Sequence, residues 1–208
     1  MSVKPILFNT AMVKAILDGR KTVTRRMVKL PSNITRQEDG THTICTEGTV
    51  YKNQRMEDIL PYLKKPYNPG DILYVRETWF CPCDDCDEPC VGCIYGPGYR
   101  YKADYRIKDD VEKWKPSIHM PKEAARIWLK VTDVRVERLN EMTASESAKE
   151  GISLPKEFDT KERAYILAFA DLWDSTIKKT DMDEYGWYGN PWVWRIEFER
   201  CEKPESEE

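Results

Sequence analysis

Apolar residues recur at helical spacing in Met12, Val13, Ile16 and Leu17, with Asn9 or Thr10 ahead of them as N-cap and Gly19 behind as the stop. A helix leaving into a short extended piece, Thr22 to Val28, is the first prediction. Asn68-Pro69-Gly70-Asp71 reads as a turn, and Ile72 to Phe80 as an apolar strand. From Arg126 to Glu137 the alternation Ile127, Leu129, Val131 slips by one residue to Val134, Val136. That slip predicts a bulge near Thr132-Asp133, a device that curves a strand. Thr143 or Ser145 caps a short helix running to Glu150-Gly151, and Phe158 to Ile177 forms a longer helix with Ala164, Ile166, Leu167, Phe169, Ala170 and Trp173 on its apolar stripe. In the last strand, Pro191 to Arg200, Trp192, Trp194, Ile196 and Phe198 alternate with Val193, Arg195, Glu197 and Glu199, which predicts that the tryptophans face the core and the charges face water. This pattern predicts a mixed α+β domain with a curved sheet.

Two stretches fall outside the regular alternation. One, at about 31–67, carries an Asp39-Gly40 hairpin turn between β-prone flanks. The other, at about 81–115, holds five of the chain's seven cysteines between positions 81 and 93. The reading is one domain over 1–202 with these two insertions, followed by a disordered acidic tail at 203–208.

Composition alters this picture in two ways. A net charge of −3 removes any argument from bulk electrostatics, so nucleic-acid binding has to be local. No early apolar run has the length of a signal peptide or membrane span, so the expectation is a cytoplasmic protein with reduced thiols and no membrane partner. Cys83, Cys86, Cys90 and Cys93 then form two Cys-x2-Cys hooks suited to a closed tetrahedral structural zinc, with Cys81 able to replace one of them. An iron–sulfur cluster and a redox pair are the other readings of these thiols.

Five blocks follow one another in an order known from one family: Ile16 to Arg26, Pro69 to Thr78, Ile127 to Leu139, Ala148 to Ile152 and Trp192 to Phe198. In these blocks the chain resembles ASCH domains, members of the PUA-like superfamily. Lys115 to Pro121 and Asn190 to Trp194 resemble the ASCH proteins of phages and prophages. The resemblance implies a small PUA-like curved β-barrel with flanking helices. It also implies an RNA or modified-nucleoside partner, and one bacterial branch of the family is similar to N(4)-acetylcytidine amidohydrolase. That branch uses a lysine, a threonine and a glutamate, which correspond here to Lys21, Thr24 and Glu150. In the amidohydrolase-like version Thr24 is the nucleophile, Lys21 the base and Glu150 the acid or orienting group. A non-catalytic RNA-binding module, and a phage assembly or host-interaction protein with a vestigial pocket, are the alternatives.

Arg20, Arg25 and Arg26 place positive charge beside that site, and Arg76 is expected to project into the same cleft as a ligand contact. The same cations also read as a solvated face balanced by nearby acids. Trp187 and Tyr188, between Gly186 and Gly189, are candidates to stack on a base, or else fold over the domain as packing.

Overall fold

Periodicity and caps account for the main elements. The computed structural model describes residues 2–46, 48–81, 98–105, 114–155 and 162–204. Its strands are β1 (Val3–Leu7), β2 (Val23–Met27), β3 (Ile34–Arg36), β4 (His42–Thr46), β5 (Thr49–Gln54), β6 (Ile72–Arg76), β7 (Trp79–Phe80), β8 (Arg100–Tyr101), β9 (Trp128–Arg138) and β10 (Trp192–Cys201). Its α-helices are α1 (Thr10–Leu17), α2 (Met56–Ile59), α3 (Ala144–Lys149), α4 (Glu162–Asp174) and α5 (Met182–Tyr185). The fold is mixed α+β. Residue 158, the expected start of the long helix, and Glu205 to Glu208 of the expected tail lie outside the described residues.

The main sheet has five strands in the order β1-β6-β9-β10-β2. β1 runs parallel to β6, and the other pairings are antiparallel. Along β9 and β10, Glu197 pairs with Asp133 and Phe198 with Val131, so Thr132 is the extra residue of a bulge. The phase slip in the sequence has this cause. At the far side Arg26 of β2 donates to the Leu7 carbonyl at the end of β1 (3.0 Å), so the sheet curls enough to bring its first and last strands within a side chain's reach.

Both faces of the sheet are covered. Leu73, Val75, Leu129, Val131, Trp194, Ile196 and Phe198 join Val13 and Ile16 of α1 in the main core. On the other face Val193 packs with Leu139, Met142, Phe169 and Trp173 under α4. The expectation that Arg195 faces water is therefore wrong. Val193 is fully buried and Arg195 is only 2% exposed, because α3 and α4 close over that face.

The 31–67 stretch forms its own three-stranded sheet, β3-β4-β5, and returns Met56, Ile59 and Leu63 to the main core. At the β3–β4 turn Asp39 accepts from the Thr41 amide (2.9 Å) and hydroxyl (2.7 Å), and Gly40 takes φ +81°. The ends of the 81–115 stretch meet beside β6: Phe80 pairs with Arg100 and Trp79 bridges to Lys115. Cys81 is buried there, in a second apolar cluster with Trp79, Met120 and Trp128. Cys83, Cys86, Cys90 and Cys93 lie outside the described residues. Among the described residues no three His, Cys, Asp or Glu side chains gather as a metal site. No described helix is long and apolar enough to cross a membrane.

Candidate functional site

The turn leaving α1 brings the first candidate residue inward. Asn9 caps the helix by accepting from the Met12 amide (2.9 Å), and Gly19 ends it at φ +74°. The amides of Arg20 and Lys21 both return to the Ala15 carbonyl, at 2.8 and 3.0 Å, so Lys21 belongs to the turn rather than to β2. Lys21 then bridges to Glu150, and the Thr22 amide bonds the Lys149 carbonyl at 2.9 Å. Glu150 ends α3, whose N-cap is Thr143. Gly151 follows at φ +94°, and a Cβ there would sit 2.7 Å from Ala15 Cβ and 3.2 Å from Lys21 Cβ. Only glycine permits this approach of the two turns.

Lys21 Nζ is buried and donates to Glu150 Oε2 (2.6 Å), the Val23 carbonyl (2.8 Å) and the Glu150 carbonyl (2.9 Å). Three protons of an ammonium thus meet three acceptors. Burial drives the Lys21 pKa below the usual lysine value, against the pull of the Glu150 carboxylate. The other oxygen, Glu150 Oε1, accepts from Arg25 Nη1 at 3.2 Å. Arg25 also donates from Nε to Glu137 (2.8 Å) and from Nη2 to Glu146 (3.0 Å). Arg25, Arg195 and Arg135 stand side by side across β2, β10 and β9. Glu137 and Glu146 lie over this row of like charges and offset two of the three, while Glu150 pairs with Arg25 and Glu197 with Arg195. Arg195 touches Glu146 and Glu197 by charge, without hydrogen-bond geometry.

Thr24 and Arg26 occupy the opposite face of β2. Arg26 Nη1 donates to Thr24 Oγ1 (3.1 Å) and the Arg25 carbonyl (3.2 Å), and its guanidinium lies 5.4 Å from the Phe8 ring centroid. Its acceptors, including Leu7 O, are all neutral, so its charge is not cancelled by direct contact.

A groove runs through this region between α1 and α4. Three adjoining hollows make it up, and Met12 lines all three. The central one, about 40 Å³, is walled by Thr24, Arg25, Arg26, Glu150, Phe169 and Trp173. On one side it opens to about 370 Å³ beside Leu7, Arg26 and Tyr67, and on the other to about 350 Å³ beside Arg20, Glu150 and Gly151.

The structure thus brings Lys21, Thr24, Glu150, Arg25 and Arg26 together, with Arg20 at the rim donating to the Gly151 carbonyl (2.7 Å). Arg76 does not join them. It stacks on Tyr74 and donates to the Ile118 carbonyl (3.3 Å), because its strand register turns it away from the core face that holds Leu73 and Val75. Trp187 packs edge-on against Phe169 at 6.1 Å and is a packing residue. Tyr188 is 93% exposed and lines none of the three hollows. Sequence reasoning missed Arg195, Glu137 and Glu146. Their signal was cross-strand register, which alternation along one strand does not supply. Neither family models, characterised proteins nor solved structures give a match to this chain.

Proposed function

We propose that this chain is a PUA-like protein of the ASCH type that binds a modified nucleoside, free or within RNA, in the groove between α1 and α4. One observation carries the reading. The turn after α1 and the end of α3 converge, with Lys21 Nζ 2.6 Å from Glu150 Oε2, on a cleft whose wall offers Thr24 and Arg26. The curl that brings β1 to Arg26 supports a PUA-like barrel. Met12, Phe169 and Trp173 supply apolar area for a ring, while Arg26 and Thr24 supply a fixed charge and a hydroxyl to read its polar edge.

Hydrolysis of an acylated cytidine amide is the second reading, favoured by a desolvated lysine and its glutamate beside a cleft-wall threonine. In it the Thr24 oxygen attacks the amide carbonyl and its proton passes to Lys21, which has first given up a proton and one of its three contacts. The cytosine amine leaves with a proton relayed through Glu150, and water then frees the acyl group from Thr24.

Calorimetric titration with cytidine and N(4)-acetylcytidine, with chromatography of the products, tests both readings. Wild type is expected to bind the acetylated nucleoside more tightly. Arg26→Met weakens binding at least about tenfold, since a hydrogen bond to a charged group contributes roughly 1.5–3 kcal/mol. Thr24→Val abolishes any turnover and weakens binding only a few-fold, by the loss of one neutral hydrogen bond of about 0.5–1.5 kcal/mol. Binding without turnover in wild type leaves the binding reading and removes the enzymatic one. A folded wild type that binds neither the nucleosides nor an acetylated RNA oligonucleotide refutes both.

A further inference from the structure

A second pocket, separate from the groove, lies where the 31–67 stretch meets the start of β10. It encloses about 110 Å³, and its walls include Arg36, His42, Arg138, Glu184 and Trp192. By the same measure a water occupies about 10–15 Å³, so several non-hydrogen atoms fit. No residue of this pocket belongs to the Lys21–Glu150 cluster.

Two buried polar atoms of its lining residues are unsatisfied. His42 is 6% exposed, and its Nδ1 has no hydrogen-bond partner. The indole Nε1 of Trp192 is likewise buried without one. An unpaired buried polar group costs about 1–3 kcal/mol, and native structures rarely leave one without a water or ligand to meet it. An indole N–H only donates, so whatever meets Trp192 accepts.

The charges around the pocket narrow the choice. Arg138 stacks over the Trp192 ring at 4.3 Å and spends a donor on the Asn190 carbonyl (2.9 Å). Arg36 pairs with Glu184 at 3.4 Å at the rim, where both side chains are about half exposed. Two guanidiniums and one carboxylate thus stand among the lining residues, a positive surplus that accompanies the two unsatisfied nitrogens. We propose that this pocket is an oxyanion site. Trp192 Nε1 and the Nδ1–H tautomer of His42 donate to the anion, and Arg138 and Arg36 balance its charge. A phosphoryl group suits it, supplied either as a free phosphate monoester or as the backbone phosphodiester of a polynucleotide. The 31–67 stretch then has a functional part, because it contributes Arg36 and His42 to a site whose other half belongs to the main sheet. The inference is independent of what the groove binds.

The test uses the full chain labelled with nitrogen-15. Its seven tryptophans give seven indole signals, and the one lost in Trp192→Phe is that of Trp192. Titration with inorganic phosphate at constant ionic strength is expected to move that signal saturably while the other six stay in place. Trp192→Phe should bind phosphate roughly tenfold or more weakly, by the loss of one hydrogen bond to a charged group. Should Trp192→Phe fail to fold, Arg36→Gln and Arg138→Gln followed by calorimetry serve instead, with weaker binding expected in each. Adenosine monophosphate and an unphosphorylated RNA oligonucleotide form the two further arms. A saturable shift with the first assigns a monoester, and with the second a phosphodiester, and either supports the site. An indole signal that stays fixed in folded protein overturns it, as does drift in parallel with all seven or phosphate affinity unchanged in both arginine variants. The two nitrogens would then be met by water alone.

Discussion

Replacing Glu150 by methionine is the most informative perturbation of the buried cluster. It leaves the Lys21 ammonium with two carbonyls, at 2.8 and 2.9 Å, and removes the carboxylate from Arg25 Nη1. Breaking a buried pair from one side costs about 3–5 kcal/mol, because a charge stays behind without its counter-ion. Lys21→Met costs less, roughly 2–4 kcal/mol, since Arg25 continues to hold Glu150 while two carbonyls lose their donor. In the double variant neither ion remains, and Arg25 still has Glu137 and Glu146. The double is therefore expected to lose less than the sum of the singles, by roughly 2 kcal/mol. Urea unfolding at pH 7 followed by circular dichroism measures all four proteins, read as midpoints at constant m. A pH series adds a second reading. The folded Lys21 pKa lies below the 10.5 of a free lysine, so the folded chain holds that proton less firmly than the unfolded one. Stability linked to this group falls as pH drops from 10.5 through the folded value, and returns as pH climbs. Lys21→Met should show a flatter rise than wild type across that window. Single variants whose costs add within about 0.5 kcal/mol would refute the coupling, and parallel pH slopes would refute the desolvated lysine.

Other expectations follow from single contacts. Gly151→Ala forces a Cβ against Ala15 and Lys21 at a positive φ; thermal unfolding should show a loss of roughly 2–4 kcal/mol, and a change under about 0.5 kcal/mol would contradict the close approach. Asp71 accepts from the Ser2 hydroxyl and Lys4 Nζ, both at 2.7 Å, and from the Asn68 amide at 3.0 Å; against the desolvation that would raise it, these bonds hold its carboxyl well below the usual carboxylate range. Its contribution is present above the ordinary value of 3.8 and lost as pH falls through the folded value. Asp71→Asn is therefore expected to cost roughly 1–3 kcal/mol at pH 7 in urea unfolding, with the difference shrinking in acid. Thiolates at Cys83, Cys86, Cys90 and Cys93 predict about one zinc per chain by elemental analysis, with chelation lowering the melting temperature. Metal-free protein that melts at the same temperature would remove that expectation.

Local features were legible where one stretch of chain determines them. The bulge announced itself near Thr132-Asp133 as a slip in alternation, the α1 cap as Asn9 or Thr10 before an apolar stripe, and the β3–β4 turn as Asp39-Gly40. What was not legible depends on distant partners. Alternation in β10 defines two faces, but nothing in that strand says that α3 and α4 will cover the second, so Arg195 read as a surface residue. The 31–67 stretch read as an insertion with a hairpin turn, yet Met56, Ile59 and Leu63 complete the main core and His42 lines a pocket. The meeting of Lys21 with Glu150 came from resemblance, because 129 residues separate them and no periodicity links a turn to a helix end so far along the chain. Arg76 shows the opposite limit: its place on the strand after the Gly-Asp turn suggested the cleft, and strand register sends it elsewhere.

Amide chemical-shift mapping with N(4)-acetylcytidine bears most directly on the groove. The account predicts saturable movement of the signals of Lys21 to Arg26 and Glu150 to Ile152, with those of Arg36 and His42 unmoved. Signals of both groove segments that stay fixed at saturating ligand, or shifts confined to other faces of the folded protein, would contradict it.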